Sequence, residues 1–166
     1  RSRTNATGLY GWRADDYNAR MRASPPPSAR HLLEARGVAA TAARVQVLDM
    51  LLAAPTALTH AALMRAAADA GQPLDKVTLY RVLDWLVAQD LAHDVTGSDR
   101  ARRFRALRMQ EGHAHGEHAH FECDACGRLF CLPDPAASPR TPPGFESRRI
   151  DVTVHGRCAD CARHPA

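Results

Sequence analysis

Cys123-Asp-Ala-Cys126-Gly127 and Cys158-Ala-Asp-Cys161 form two Cys-x-x-Cys pairs in the last third of the chain, separated by residues 127–157. Two such pairs bring four thiolates to one point, which suits a tetrahedral Zn²⁺ with Zn–S bonds of about 2.3 Å. Disulfides are the alternative, but nothing resembles a signal peptide for an oxidising compartment. The pattern predicts a structural zinc site formed by Cys123, Cys126, Cys158 and Cys161.

A second group of metal ligands surrounds the first pair. Four of the nine histidines lie just before it, in His113-Ala-His115-Gly-Glu-His118-Ala-His120, and the odd cysteine, Cys131, follows it. Imidazole nitrogen and thiolate sulfur are both ligands that Zn²⁺ accepts. The sequence therefore predicts a second metal site beside the first, with solvent-exposed histidines as the alternative.

Length and charge narrow the function classes only a little. At 166 residues the chain can form one domain of ordinary size or two small ones. No apolar run approaches the ~20 residues of a membrane span, so no membrane partner is expected. The net charge of +4 and the pI near 9.0 weakly favour an anionic partner such as nucleic acid.

The predicted organisation is helical first and β-rich later. Apolar periodicity indicates four helices, near residues 29–36, 42–53, 60–70 and 76–89, with Thr41, Thr59 and Asp75 as N-caps. Two strands joined by a tight turn follow, which is the layout of a winged helix. The strands of this hairpin are predicted at Leu91–Val95 and Arg102–Leu107, and three later ones at Phe121–Cys123, Arg128–Leu132 and Arg149–Val154.

The fourth predicted helix has two distinct faces. Its apolar stripe consists of Leu79, Val82, Leu83, Leu86 and Val87. Thr78, Arg81 and Trp85 lie on the opposite side, with Tyr80 on its flank. An exposed arginine, threonine and aromatics have the chemistry of a major-groove reader, although a solvated face is the alternative. The hairpin adds arginines that could contact phosphates: Arg100, Arg102, Arg103 and Arg105.

Four motifs in this order resemble the ferric and zinc uptake regulator (Fur) family, over about residues 29–163. They are Arg36-Gly37-Val38…Thr41-Ala-Ala-Arg44, Thr78-Leu-Tyr-Arg-Val-Leu83, His118-Ala-His-Phe-Glu-Cys123-Asp-Ala-Cys126-Gly127 and Gly156-Arg-Cys158-Ala-Asp-Cys161. The resemblance implies an α+β protein with an N-terminal winged-helix DNA-binding domain at 29–108. A small α/β dimerisation domain with the four-cysteine zinc is expected at 109–166, and a flexible extension at 1–28.

The resemblance also implies what the protein does. We expect no enzyme but a cytoplasmic, homodimeric, metal-responsive transcription regulator that binds double-stranded DNA at an inverted-repeat operator. Carried over by position, Tyr80 and Arg81 contact bases and Arg44 contacts the backbone, with Thr78 and Lys76 as further DNA-binding residues. The zinc uptake regulator (Zur) branch fits best, which predicts a repressor of zinc-homeostasis genes.

By the same resemblance, the sensing site draws ligands from the hairpin and from the segment around the first Cys-x-x-Cys pair. His93, His118, His120 and Cys131 occupy such positions, so two zinc ions per subunit are expected. Arg105 stands where iron-sensing members often use glutamate, which favours zinc. Three alternatives stay open: His113 or His115 as the fourth ligand, an iron or peroxide signal, and a metallo-hydrolase that uses the histidine cluster.

Overall fold

Four helices form the N-terminal part of the structure, and each is preceded by an N-cap residue whose side chain accepts a hydrogen bond from a free backbone N–H group of the helix. The computed structural model describes residues 28–107, 119–132, 141–146 and 150–163. The caps are Ser28, Thr41, Thr59 and Asp75, and each accepts from the backbone N–H three residues on. The helices are α1 (Ala29–Ala35), α2 (Ala42–Ala53), α3 (His60–Asp69) and α4 (Lys76–Ala88).

The ends of the helices agree closely with the sequence prediction. Gly37 and Gly71 follow α1 and α3 with φ of +67° and +70°, the left-handed conformation that glycine adopts readily. Residues 1–27 of the predicted N-terminal extension (1–28) lie outside the described residues. Its last residue, Ser28, is instead the N-cap of α1, because its hydroxyl accepts from the His31 backbone N–H.

The apolar face of α4 packs into one core with the other helices. Leu79, Leu83 and Leu86 are completely buried, as the stripe predicts. Trp85 differs from the prediction, since it is half-buried and packs against this core instead of facing solvent. The other fully buried leucines of this core are Leu33, Leu48, Leu51 and Leu63.

A first sheet closes the helical core. Its strands are β1 (Leu58–Thr59), β2 (Ala92–Thr96) and β3 (Arg102–Ala106), in the antiparallel order β1-β3-β2. Phe104 on β3 is buried in the helical core. β1 was not predicted, because two residues are too few to produce a period. We call β2 and β3 with their connecting turn the hairpin.

A second sheet follows, in the order β5-β4-β6. Its strands are β4 (His120–Cys123), β5 (Leu129–Cys131) and β6 (Thr153–Gly156), and a short helix, α5 (Ala159–Arg163), comes after them. β4 pairs antiparallel with β5 and parallel with β6. The last strand was predicted from Arg149, which lies outside the described residues. Residues 150–152 are described and are not strand, and β6 runs from Thr153, opposite His120, to Gly156.

The hairpin lies against the second sheet. The Ala57 N–H donates to the Leu129 carbonyl at 3.0 Å, and Val95 completes a small buried apolar cluster with these two residues. Glu122 on β4 accepts from Ser98 in the hairpin turn. None of the helices in the described segments has the length and hydropathy that a membrane crossing requires.

Candidate metal centres and nucleic-acid interface

The four cysteines of the two Cys-x-x-Cys pairs meet in one cluster. Their sulfur atoms all lie within 4.8 Å of one another, and Cys126 Sγ is 3.9 Å from Cys158 Sγ. A tetrahedral ion with Zn–S bonds of about 2.3 Å separates its sulfurs by about 3.8 Å. All four are free thiols, so the structure does not support the disulfide alternative. Geometry and donor type both fit Zn²⁺.

The parallel pairing of β4 and β6 assembles this cluster. Cys123 ends β4 opposite Gly156, and the Asp124 N–H donates to the Gly156 carbonyl at 2.8 Å. The Cys158 N–H donates to Cys123 Sγ at 3.3 Å. The pKa of the Cys123 thiol is lowered to about 6, first by this backbone hydrogen bond and further by those from Cys126 and Ala125, which favours the thiolate form. Gly127, with φ of +65°, turns the chain towards β5.

A second cluster combines His93, His120 and Cys131. Their ligand atoms lie within 4.8 Å of one another, and Cys131 Sγ is 3.3 Å from His93 Nε2. His120 and Cys131 are directly opposed on β4 and β5, and both are buried. His93 reaches them from β2, so this cluster joins the two sheets. Three of the four predicted sensing ligands therefore converge.

The remaining candidate ligands are accounted for differently. His118 and the two alternatives, His113 and His115, lie outside the described residues. Arg105 on β3 is buried and donates to the Pro55 carbonyl at 2.8 Å. The Arg105 guanidinium is positively charged and offers no ligand atom to a metal.

The proposed reading face of α4 is open to solvent at its N-terminal end. Lys76 and Arg81 are exposed, and 42% of Tyr80 is accessible. Thr78 is half-buried, and its N–H donates to the carboxylate of the N-cap Asp75 at 2.9 Å. These side chains lie off the buried stripe of the helix, which leaves this end of α4 available to a ligand.

Arg44 is held against α4 by an aromatic contact. Its guanidinium carbon lies 3.6 Å from the Trp85 ring centroid, in cation–π geometry. Nη1 also donates to the Ala39 carbonyl at 3.0 Å. Two constraints therefore fix the direction of this side chain beside α4.

His60 supports Tyr80, a contact that the sequence did not indicate. The two rings stack with centroids 3.8 Å apart and planes 18° from parallel. His60 begins α3 while Tyr80 lies on α4, so the contact is tertiary and leaves no periodic signal.

The hairpin arginines hold the hairpin together. Arg103 is buried and pairs with Asp99 at 2.8 Å. Arg102 bridges Asp84 and Asp94, at 2.7 Å each. Arg105 is also buried, so partners within the chain engage all three of these arginines. Their predicted contacts with phosphates stay a prediction, and among the three only Arg102 is exposed. Arg100, at the turn, is exposed.

The family model "Ferric uptake regulator family" matches residues 35–156, which is well over half of the sequence. The chain belongs to the ferric uptake regulator family. Members of this family are transcription regulators, so the chain is a regulator and not an enzyme. The metallo-hydrolase alternative is therefore wrong.

Solved structures of the family share the fold. A zinc uptake regulator complexed with zinc and DNA superposes with a TM-score of 0.61 at 23% identity, covering 89% of this chain and 95% of that one. The holo form of XcZur gives 0.53 at 24% identity, covering 91% and 99%. The Vibrio cholerae ferric uptake regulator gives 0.54 at 16%, covering 78% and 98%. No curated protein sequence matches significantly.

The regulator's two clusters differ in what they can do. The four-cysteine cluster lies within the second sheet and α5, so metal bound there would hold that sheet and α5 together. The cluster of His93, His120 and Cys131 draws on both sheets. A metal bound there would restrain one sheet relative to the other.

Proposed function

We propose that this regulator is zinc-responsive and binds an inverted-repeat operator as a homodimer when its sensing site holds metal, repressing zinc-homeostasis genes in the cytoplasm. Residues 29–108 form its winged-helix DNA-binding domain, after an N-terminal extension at 1–28. Residues 109–166 form its zinc-stabilised dimerisation and metal-sensing domain. The observation that carries the proposal is the cluster of His93, His120 and Cys131 between the two sheets.

Donor chemistry favours zinc at this cluster. Two imidazoles and one thiolate suit Zn²⁺, whereas Fe²⁺ more often takes a carboxylate. Within the described residues no carboxylate belongs to the cluster. His118, two residues before His120, is the proposed fourth ligand. The proposal thus assigns two zinc ions to each subunit, one in the four-cysteine site and one here.

The regulatory step follows from the position of the ligands. His93 on β2, His120 on β4 and Cys131 on β5 would hold the zinc together, and a metal bound there would link the hairpin to the second sheet. This link selects one arrangement of the hairpin relative to the second sheet. If that arrangement is the one that binds the operator, metal raises affinity by shifting a population, typically by about 1–3 kcal/mol.

DNA recognition is assigned to the exposed end of α4 and its neighbour Arg44. Arg81 can pair bidentately with guanine, and Tyr80 can pack on a thymine methyl or reach a phosphate. Lys76, Thr78 and Arg44 can contact the backbone, which would fix the register of the helix in the groove. A two-fold dimer presents two such helices to half-sites about one helical turn apart.

The test is zinc-dependent binding to DNA from the protein's own upstream region, measured by fluorescence anisotropy at fixed salt, with buffered Zn²⁺, Fe²⁺ or chelator. His93→Ala should weaken binding about 5- to 150-fold in zinc. It should retain one zinc per subunit, in the four-cysteine site. His31→Ala, an exposed histidine on α1, is the matched control and should bind as the wild type does.

The outcomes separate the alternatives. Binding with Fe²⁺ but not Zn²⁺ would move the chain to the iron-responsive members. Unchanged zinc-dependent binding by His93→Ala would refute the role of the second cluster in sensing. Loss of the four-cysteine zinc in that variant would mean that His93 belongs to the structural site instead.

A further inference from the structure

Arg128 lies against the sulfur atoms of the four-cysteine cluster. Its Nε donates to Cys126 Sγ at 3.2 Å, and its Nη2 donates to Cys158 Sγ at 3.4 Å. Cys126 belongs to the first Cys-x-x-Cys pair and Cys158 to the second. One guanidinium therefore bridges the two halves of the site, which are far apart in the sequence.

The guanidinium is held in this position by a carboxylate. Nη2 of Arg128 also pairs with Asp160 Oδ2 at 2.9 Å. Asp160 lies between Cys158 and Cys161 in α5, so the anchor is part of the second Cys-x-x-Cys pair itself. The planar fork of arginine can donate in these several directions at once, which an ammonium group cannot do with the same geometry.

The charge of the site explains why such a bridge matters. Four thiolates around one Zn²⁺ leave two negative charges in excess, concentrated on the sulfur atoms. A guanidinium at hydrogen-bond distance offsets part of this charge, and charge-assisted hydrogen bonds draw electron density from the sulfurs they contact. Groups that hydrogen-bond metal ligands in this way orient them and change metal retention.

We propose that Arg128 is a positioning residue of the four-cysteine site, which ties its two Cys-x-x-Cys pairs together and protects the sulfurs of Cys126 and Cys158 from electrophiles. The proposal needs neither DNA binding nor the second metal cluster. It therefore stands or falls separately from the function proposed above.

The first test follows zinc loss from the full chain. A Cys131→Ala background removes the sulfur ligand of the second cluster, so that slow zinc transfer to a chromogenic chelator reports the four-cysteine site. Arg128→Ala in this background should release zinc about 10-fold faster, the lower end of the effect for groups that support metal ligands, since Arg128 is partly exposed.

The matched control is Arg163→Ala. Arg163 pairs with the same carboxylate, through Asp160 Oδ1 at 2.7 Å, and no described hydrogen bond joins it to a cysteine. Its zinc release should equal that of the background. Equal release by Arg128→Ala and Arg163→Ala would overturn the proposal, because charge near Asp160 would then account for any effect.

Arg128→Lys separates the loss of the bridging contacts from a folding defect that Arg128→Ala could cause. It keeps the charge and the aliphatic chain but lacks the fork, so an intermediate release rate is expected. A zinc-release rate equal to that of the background protein, which keeps Arg128, would overturn the bridging role.

A second readout tests which sulfurs are protected. N-ethylmaleimide labelling of the zinc-loaded protein, followed by peptide mass spectrometry, should accelerate at Cys126 in Arg128→Ala much more than at Cys161. The two differ because Arg128 donates to Cys126 and has no described hydrogen bond to Cys161. Equal acceleration at both would mean general loosening of the site and would contradict specific protection.

Discussion

Ser98→Ala should weaken the polar contact that holds the hairpin against the second sheet. The Glu122 carboxylate, on a residue only 5% exposed, accepts the Ser98 hydroxyl at 2.7 Å and the Ser98 N–H at 3.1 and 3.2 Å. The substitution removes the hydroxyl donor and leaves the backbone donor in place. The buried carboxylate then loses its shortest described hydrogen bond.

The magnitude follows from the charge of the acceptor. A hydrogen bond to a charged group contributes about 1.5–3 kcal/mol, and one between neutral groups about 0.5–1.5 kcal/mol. Because Ser98 itself is exposed, water can replace part of the contact, and we expect a loss near 1.5 kcal/mol. In a Glu122→Gln background the acceptor is neutral, so Ser98→Ala should cost only about 0.5 kcal/mol.

Urea unfolding of the four proteins of this double-mutant cycle measures the difference, expected to be about 1 kcal/mol. Thr96→Ala, which removes an exposed hydroxyl from the same hairpin, serves as the control. An equal cost of Ser98→Ala in both backgrounds would refute the reasoning, because the hydroxyl would then gain nothing from the charge of Glu122.

Two further predictions concern the hairpin and α4, the helix that we propose contacts DNA. The pKa of the Asp99 carboxyl is lowered from 3.8 to about 2, first by the hydrogen bonds that Arg103 donates and then by the one from the Ala101 N–H. The pair therefore stabilises the fold fully above pH 3.8 and less as the pH falls through 2. Acid titration of stability should show this loss in the wild type and not in Asp99→Asn. His60→Ala removes the ring that stacks on Tyr80 and should weaken binding to the proposed operator about 2- to 10-fold. His60→Phe can still stack on Tyr80 and should retain most of the affinity. An equal loss of affinity in both variants would contradict a stacking role.

Features with local causes were predictable from the sequence. Thr41, Thr59 and Asp75 were predicted as N-caps and are N-caps in the structure, because a cap is made by one side chain and the backbone three residues on. The helical stripe of α4 was equally predictable, since burial follows the period of the helix. Both signals lie within a single element.

Features that depend on another element were missed. Trp85 has the sequence position of an exposed residue, but it packs on the core beneath the Arg44 guanidinium. The hairpin arginines have the composition of a phosphate-binding strand, yet Arg102 pairs with Asp84 on α4 and Arg105 donates to the Pro55 carbonyl. No periodicity in one element records the partner that a second element provides, and for that reason the charge pattern did not reveal these partners.

The metal ligands fall between these two cases. The spacing of each Cys-x-x-Cys pair is local, and it predicted the four-cysteine cluster. The position of His93 in the second cluster came from family resemblance, because β2 reaches Cys131 only through tertiary packing. Arg128 has no spacing rule of its own, and only the assembled cluster reveals its contacts with two sulfurs.

The two clusters share β4, and this makes their dependence on each other one-sided. Cys123 at the end of β4 fixes the register with β6, while His120 at its start faces Cys131. Cys158→Ala should therefore lose both of the proposed zinc ions, because without metal in the four-cysteine cluster the strand that presents His120 is no longer held. Cys131→Ala should lose only the proposed zinc of the second cluster, since the four-cysteine cluster does not need that cluster to bind metal. Metal analysis of the purified variants decides between these outcomes, and one zinc retained by Cys158→Ala would contradict the one-sided dependence.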